Sequence, residues 1–325
     1  MPAPDRRNRT EDHRERKKKR LAFEDGGQGG EYQGELDSSI LHPPSDRQCT
    51  PANTAFITAA AYQPGHILKN LATTFLTTFR HGVYPIIFGM GEKYCHYGTK
   101  IVRGLECIES LPPEITHVCY FDARDTLFVQ SAEHICRTFN SFESPFVISA
   151  EQCCFPLGPK YFPNDPAVHR WVQSWPAHPL NRRWLCAGMW MGERPAVASI
   201  LRLAMEIQTY ITNYFTDPNA TAPEWLAEPW EHREKWKQRF SRDDQFLLQI
   251  IAKLKLRPMA WDTEYKLFAN MSCSDCTLPP RNRYVDLVDG EIVVKEGGHK
   301  SAVLHFSGPN CDQSRAGWAQ LLELD

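Results

Sequence analysis

The sequence predicts an α/β fold: a doubly wound sheet flanked by helices, behind a disordered amino-terminal tail. Three observations predict it. From Asn53 to Phe121, short apolar runs alternate with segments of helical spacing. Glycines stand at the ends of these runs, where chain reversals are needed. Before about residue 50 neither pattern occurs: the chain is charged, then glycine-rich, then proline-containing, with little to bury. Residues 1–50 are therefore expected to be a tail and 51–325 the folded body.

Along the body, Thr54–Ala61 reads as a buried strand. His66–Arg80 carries Ile67, Leu68, Leu71, Phe75, Leu76 and Phe79 at helical spacing, with Gly82 as a stop. Tyr84–Phe88 is a second strand, ended by Gly89-Met90-Gly91. Ile101–Leu111 is a helix, and His117–Phe121 a third strand that runs into Asp122. The second half is more mixed. Strands are expected at Pro145–Ala150 and Trp184–Met191, and helices at Pro195–Phe215 and Asp243–Leu254. Thr216–Trp230 is proline-rich and irregular. Short strands follow at Met259–Trp261, Lys266–Ala269 and Ala302–His305, with a hairpin of Tyr284–Val288 and Ile292–Lys295 around Asp289-Gly290.

Composition excludes several classes. The 325 residues are 42% apolar and 23% charged, which rules out collagen-like, coiled-coil and wholly disordered chains. No run approaches the roughly 18 apolar residues of a membrane span. The net charge of -2 hides an uneven distribution: residues 1–20 hold nine Lys/Arg against four Asp/Glu. The Lys17–Arg20 run invites a nuclear-localisation or anionic-partner reading beside that of a solvated tail. The body shows no nucleic-acid-binding signature. Eleven cysteines, an odd number, and no apolar leader suggest a cytoplasmic protein with mostly reduced, buried thiols. Cys153 and Cys154 read as core or site-wall thiols, and Cys273-Ser-Asp-Cys276 lacks the second pair that structural zinc needs. The dense tryptophans Trp171, Trp175, Trp184 and Trp190 read as core or as platforms for sugar faces.

Ligands of open α/β sheets bind at the carboxyl ends of strands. That places the Gly89–Gly91 turn and Asp122-Ala123-Arg124-Asp125 in the candidate site. Two carboxylates three residues apart can converge on a hard cation such as Mn²⁺ or Mg²⁺; alternatively one caps a helix and the other pairs with Arg124. Asp243 and Asp244 open a helix, as caps or as catalytic and sugar-hydroxyl groups. His305-Phe306-Ser307-Gly308 follows a strand, either as metal ligand and phosphate turn or as a turn with a surface histidine.

Taken in order, these motifs resemble the amino-terminal glycosyltransferase domain of the procollagen lysyl hydroxylases and, more distantly, the procollagen galactosyltransferases. The resemblance runs from Phe56–Ala61 through Phe88–Glu92, Lys100, Tyr120–Phe128, Ile148–Glu151 with Cys154–Pro156, and Asp243–Gln245, to Phe268–Asn270 and His305-x-x-Gly308-Pro309. It implies a GT-A-like fold, a Rossmann-type mixed sheet flanked by helices, with a UDP-sugar donor and Mn²⁺ held by Asp122, Asp125 and His305. It implies that Thr58, Gly91, Glu92 and Tyr94 line the nucleotide side and that Gly308 approaches the diphosphate. Asp243 and Asp244 would serve as hydroxyl anchor or base. The activity implied is hexose transfer to a hydroxyl of a protein or glycan acceptor. Phe155 stands where the family has Trp, Cys186-Ala187-Gly188 where it has Asn-Ser-Gly, and Cys311 where it has Lys. Two other readings remain open: a nucleotide-sugar-binding protein that has lost transfer, and a binder of anionic partners through the tail.

Overall fold

The computed structural model describes residues 48–60, 68–92, 98–156, 164, 166–216, 243–271, 278, 281–308 and 312–322. Most of the tail lies outside these, as do Tyr94, the Cys273/Cys276 pair, the segment after Thr216, Pro309 and Cys311. The architecture is mixed α/β. A six-stranded sheet runs in the order β2-β1-β3-β6-β5-β7. Its strands are β1 (Thr54–Ala59), β2 (Ile86–Phe88), β3 (His117–Phe121), β5 (Phe146–Glu151), β6 (Trp184–Glu193) and β7 (Ala260–Asp262). The first three pair in parallel, as crossover helices require. β6 runs antiparallel between β3 and β5, which makes the sheet mixed.

Helices α1 (Leu68–Arg80) and α2 (Gly98–Ser110) are the crossovers between β1, β2 and β3. α3 (Ala132–Phe139) is capped by the Ser131 hydroxyl and buries Ala132, Ile135, Cys136 and Phe139, one helical face. α4 spans Pro166–Gln173, α5 Arg194–Thr216, α6 Asp244–Lys253 and α7 Asp312–Leu321. Among the described residues no helix is long and apolar enough to cross a membrane.

A second, three-stranded sheet has β11 (Val303–His305) between β4 (Thr126–Phe128) and β8 (Phe268–Asn270). Strands β9 (Val285–Val288) and β10 (Glu291–Val294) form the expected hairpin. Asp289 and Gly290 both adopt positive φ, 51° and 79°, the left-handed pair a two-residue hairpin turn needs.

The core explains why β5 and β6 read as unbroken apolar runs: all their residues are buried. Trp175, Trp184 and Trp190 lie in this core, with Trp171 packed against it, so the core reading of the tryptophans holds. Among the described cysteines, Cys49, Cys107, Cys119, Cys136, Cys154 and Cys186 are free. Cys153 is disulfide-bonded, which corrects the expectation of a free thiol there.

Candidate active site

Register brings the site together. β4 begins one residue after Asp125 and pairs antiparallel with β11, setting His305 opposite Thr126. The Phe306 N–H donates to the Asp125 carbonyl at 2.7 Å, fixing the pair beyond the last rung. The Thr126 hydroxyl donates to the Asp122 carbonyl at 2.9 Å, closing the turn between the two acids. Asp122, Asp125 and His305 each offer a ligand atom within 4.8 Å of the others. His305 is a buried residue, 1% exposed, and not the surface histidine of the alternative reading.

A bulge makes room for this cluster. Between β5 and β6 the register jumps: Ile148 faces Trp190, and the next residue, Ser149, faces Cys186. The intervening Ala187, Gly188 and Met189 have no partner on β5, although Met189 stays paired with Phe121 of β3. Gly188 then accepts a hydrogen bond from the Asp122 N–H at 2.8 Å. The Ala187 N–H donates to Gln245 Oε1 at 3.2 Å. Gln245 Nε2 in turn donates to the Glu151 carboxylate and, at 2.8 Å, to the Phe155 carbonyl. One side chain of α6 thus braces the bulge, β5 and the loop after it.

The residues present fit a divalent cation. His305 Nε2 and Asp125 Oδ1 face each other at 3.4 Å. Both atoms are buried, and neither has a hydrogen-bond partner among the described residues, a costly arrangement that a shared cation would relieve. The donors are two carboxylates and an imidazole, a set that suits Mn²⁺. Burial raises the Asp125 pKa, but the adjoining His305 and the Arg124 and Lys100 charges outweigh it and hold the carboxyl below its usual value. Arg124 stands 3.9 Å from Asp125, so the ion pair of the alternative reading is long.

Behind the triad lies a second acidic group. Lys100 donates to Asp122 Oδ1 at 2.6 Å and reaches Asp244 Oδ2 at 3.7 Å. The Tyr120 hydroxyl donates to the same Asp122 oxygen at 2.6 Å. Asp243 caps α6, accepting from the Phe246 N–H at 2.9 Å, so its capping reading holds. Burial and the adjoining Asp244 push the Asp243 carboxyl up to about 8. Asp244 is also raised, by burial first and with the Lys100 charge opposing.

The nucleotide-side residues divide. Gly91 has φ +76°, and Glu92 pairs with Arg103 at 2.7 Å. Gly308 is exposed with φ +111°, a backbone that glycine adopts without strain. The Thr58 side chain is buried, and its hydroxyl donates to the Phe121 carbonyl at 2.6 Å, bracing β1 against β3. Tyr94 lies outside the described residues. Sequence reasoning placed Gly188, Gln245 and Tyr120 in segments of the resemblance but gave none of them a role in the site. Tyr120 adjoins the acidic motif and was within reach; a bulge glycine and a bracing glutamine carry no local signal.

A mixed α/β domain with an Asp-x-x-Asp and a buried histidine at its strand ends is the class the geometry defines, and comparison with known proteins finds a glycosyltransferase domain similar to part of it. Residues 98–223 match the family model of the PLOD GT domain, in line with the resemblance carried by the motifs. No curated protein matches the chain. Among solved structures, the chain is similar to a glycosyltransferase involved in the glycosylation of the major capsid of PBCV-1. That likeness has 10% identity and a TM-score of 0.39, covering 83% of this chain and 98% of the other.

Proposed function

We propose that this chain is a metal-dependent glycosyltransferase that moves a hexose from a UDP-sugar to a hydroxyl acceptor. The observation that carries this reading is the meeting of Asp122, Asp125 and His305, with two orphaned buried atoms, in a chain whose residues 98–223 match a glycosyltransferase domain. Asp122, Asp125 and His305 would hold Mn²⁺. Bound there, the ion supplies Lewis-acid neutralisation of the charge that develops on a nucleoside diphosphate leaving group.

The rest is work for the chain's own residues. Lys100 and the Tyr120 hydroxyl fix the Asp122 carboxylate through one oxygen, leaving the other for coordination. The exposed, positive-φ Gly308 lets backbone come close to the diphosphate. The turn at Gly91 and Glu92, with Tyr94, is assigned to the nucleotide side by the family resemblance, while the buried Thr58 serves that side only by bracing β1 against β3. Asp244, within reach of Lys100, anchors a sugar hydroxyl. Asp243, with a pKa near neutrality, is suited to exchange a proton with a hydroxyl at working pH.

A donor screen with UDP-glucose, UDP-galactose and their N-acetyl forms, with and without Mn²⁺, tests the reading through released UDP. Metal-dependent release with one donor is expected. Tight, metal-coupled UDP binding with no release from any donor, acceptors included, would leave only the nucleotide-sugar-binding alternative.

A further inference from the structure

The His305 imidazole is boxed in by the bulge of β6. Its backbone is held in the β11–β4 ladder, and its side chain is buried. Gly188 lies so close to ring atoms Cε1 and Nε2 that a side-chain carbon there would collide with them. Two residues earlier, Cys186 Sγ lies 3.6 Å from Nδ1, a buried contact between side chains 119 residues apart. Cys186 is a free thiol, 3% exposed, at the place where β6 pairs with Ser149 beside the bulge. Asn stands here in the family that the motifs resemble, so the sulfur is a feature of this chain.

The two ring nitrogens therefore differ. Nδ1 has the sulfur as a partner. Nε2 faces Asp125 Oδ1 at 3.4 Å and has no hydrogen-bond partner among the described residues. A neutral imidazole carries one N–H, and a buried N–H is rarely left unpaired. A proton on Nε2 would be such an orphan, and Nδ1 would then accept only from a weak S–H donor. A proton on Nδ1 finds a sulfur lone pair instead, and Nε2 keeps its own lone pair. Metal-binding histidines almost always donate their other ring N–H in this way, which fixes both tautomer and ring orientation. The contact also selects between the two ring orientations. A half-turn about Cβ–Cγ would put Cδ2 at the sulfur and Cε1 at Asp125, and both polar contacts would be lost.

We propose that Cys186 is a positioning residue for His305: its sulfur accepts the Nδ1–H, so that the imidazole presents an unprotonated Nε2 toward Asp125 and the cation the two would share. Cys186 acts through His305 and is not itself a ligand. The use made of this tautomer rests on the metal-dependent reading above, but the tautomer itself is measurable without metal.

The test uses the full chain labelled with nitrogen-15 histidine, free of metal, at about pH 8, above the ordinary imidazole range. Long-range proton–nitrogen spectra show which ring nitrogen of each histidine carries the proton. His305→Gln identifies the His305 signals by their loss. His305 is expected with Nδ1 protonated and Nε2 bare. Cys186→Ala should move the proton toward Nε2, and Cys186→Ser, which restores an acceptor, should return it to Nδ1. In calorimetry with Mn²⁺ alone, Cys186→Ala should bind about tenfold more weakly than wild type, with recovery in Cys186→Ser. A wild-type His305 protonated on Nε2, alone or together with Nδ1, would overturn the proposal. So would a Cys186→Ala protein that keeps both the tautomer and the Mn²⁺ affinity of wild type. The wild-type spectrum decides even where a variant folds poorly. A wild type that shows the Nδ1 tautomer and binds no Mn²⁺ would sink the metal reading while confirming the hydrogen bond.

Discussion

Gly188 and His305 interlock. A side-chain carbon added at Gly188 would stand 2.3 Å from His305 Cε1 and 2.7 Å from Nε2, with Asp122 Oδ2 at 3.1 Å. The glycine is therefore what lets a buried imidazole lie beside Asp122. It is present because β6 bulges there, and the bulge is held by the Asp122 N–H bond to its carbonyl.

Gly188→Ala should displace His305, a buried residue that the added carbon would meet. Overpacking of this kind costs about 1–3 kcal/mol, read as a lower midpoint in urea unfolding. Metal-coupled UDP binding should fall at least as far as in a His305 variant. A Gly188→Ala protein with wild-type metal dependence would show that the imidazole is not placed for coordination.

Asp122→Asn and Asp125→Asn should weaken UDP binding only when Mn²⁺ is present, by about tenfold or more, and abolish transfer. Ligand-free stability should fall modestly at Asp125, because, against burial, His305 and the Arg124 and Lys100 charges favour its ionised form. His305→Ala should act in the same direction more mildly, because water can take its place. Calorimetry of UDP binding with and without Mn²⁺ checks all three, and equal wild-type affinity in the two conditions would remove the metal site.

Lys100 is the cation between Asp122 and Asp244, at 2.6 and 3.7 Å. Lys100→Met should leave those carboxylates uncompensated in a poorly solvated place. We expect a loss of about 1–3 kcal/mol without metal, and a larger Mn²⁺-induced rise in Tm than in wild type, because the ion then supplies the missing positive charge. Equal Mn²⁺ shifts in the two proteins would separate Lys100 from the metal site.

Much of this arrangement was legible in the sequence because it is made of long or strongly patterned pieces. His117–Phe121 is a strand over the expected residues, and α5 and α6 follow their apolar spacing closely, whereas α1 forms where expected but buries Thr74, Thr77 and Thr78 and leaves Leu76 and Phe79 exposed. The acidic motif falls at a strand end, as the alternation of elements required. What escaped is short or non-local. β4 has three residues, too few to show a period, yet it is the strand that pairs His305 beside Asp125. α3 announced itself through Ser131 and the spacing of Ala132, Ile135, Cys136 and Phe139, a signal the stronger motif beside it overshadowed. The direction of β6 was not legible at all, since a strand buried on both faces reads the same whichever way it runs.

The last prediction follows from Asp243. Its folded pKa of about 8 lies well above the ordinary carboxyl value, because burial and Asp244 disfavour its charge. The fold therefore prefers this group protonated. Its stabilising contribution is fully present below the unfolded value near 4 and is lost as pH rises toward 8, where the unfolded chain has already released the proton. Asp243→Asn keeps an acceptor for the Phe246 N–H and removes the charge. Wild type and variant should be nearly equally stable near pH 4. The variant should gain on wild type as pH rises, by up to about 1.4 kcal/mol per pH unit and several kcal/mol at pH 8. Asp244, raised in the same direction, leaves a residual slope in both proteins. Urea unfolding at pH 5, 6, 7 and 8 reads the difference directly. Parallel stability curves would mean that Asp243 is ionised throughout, and its proposed exchange of a proton near neutrality would fall with them.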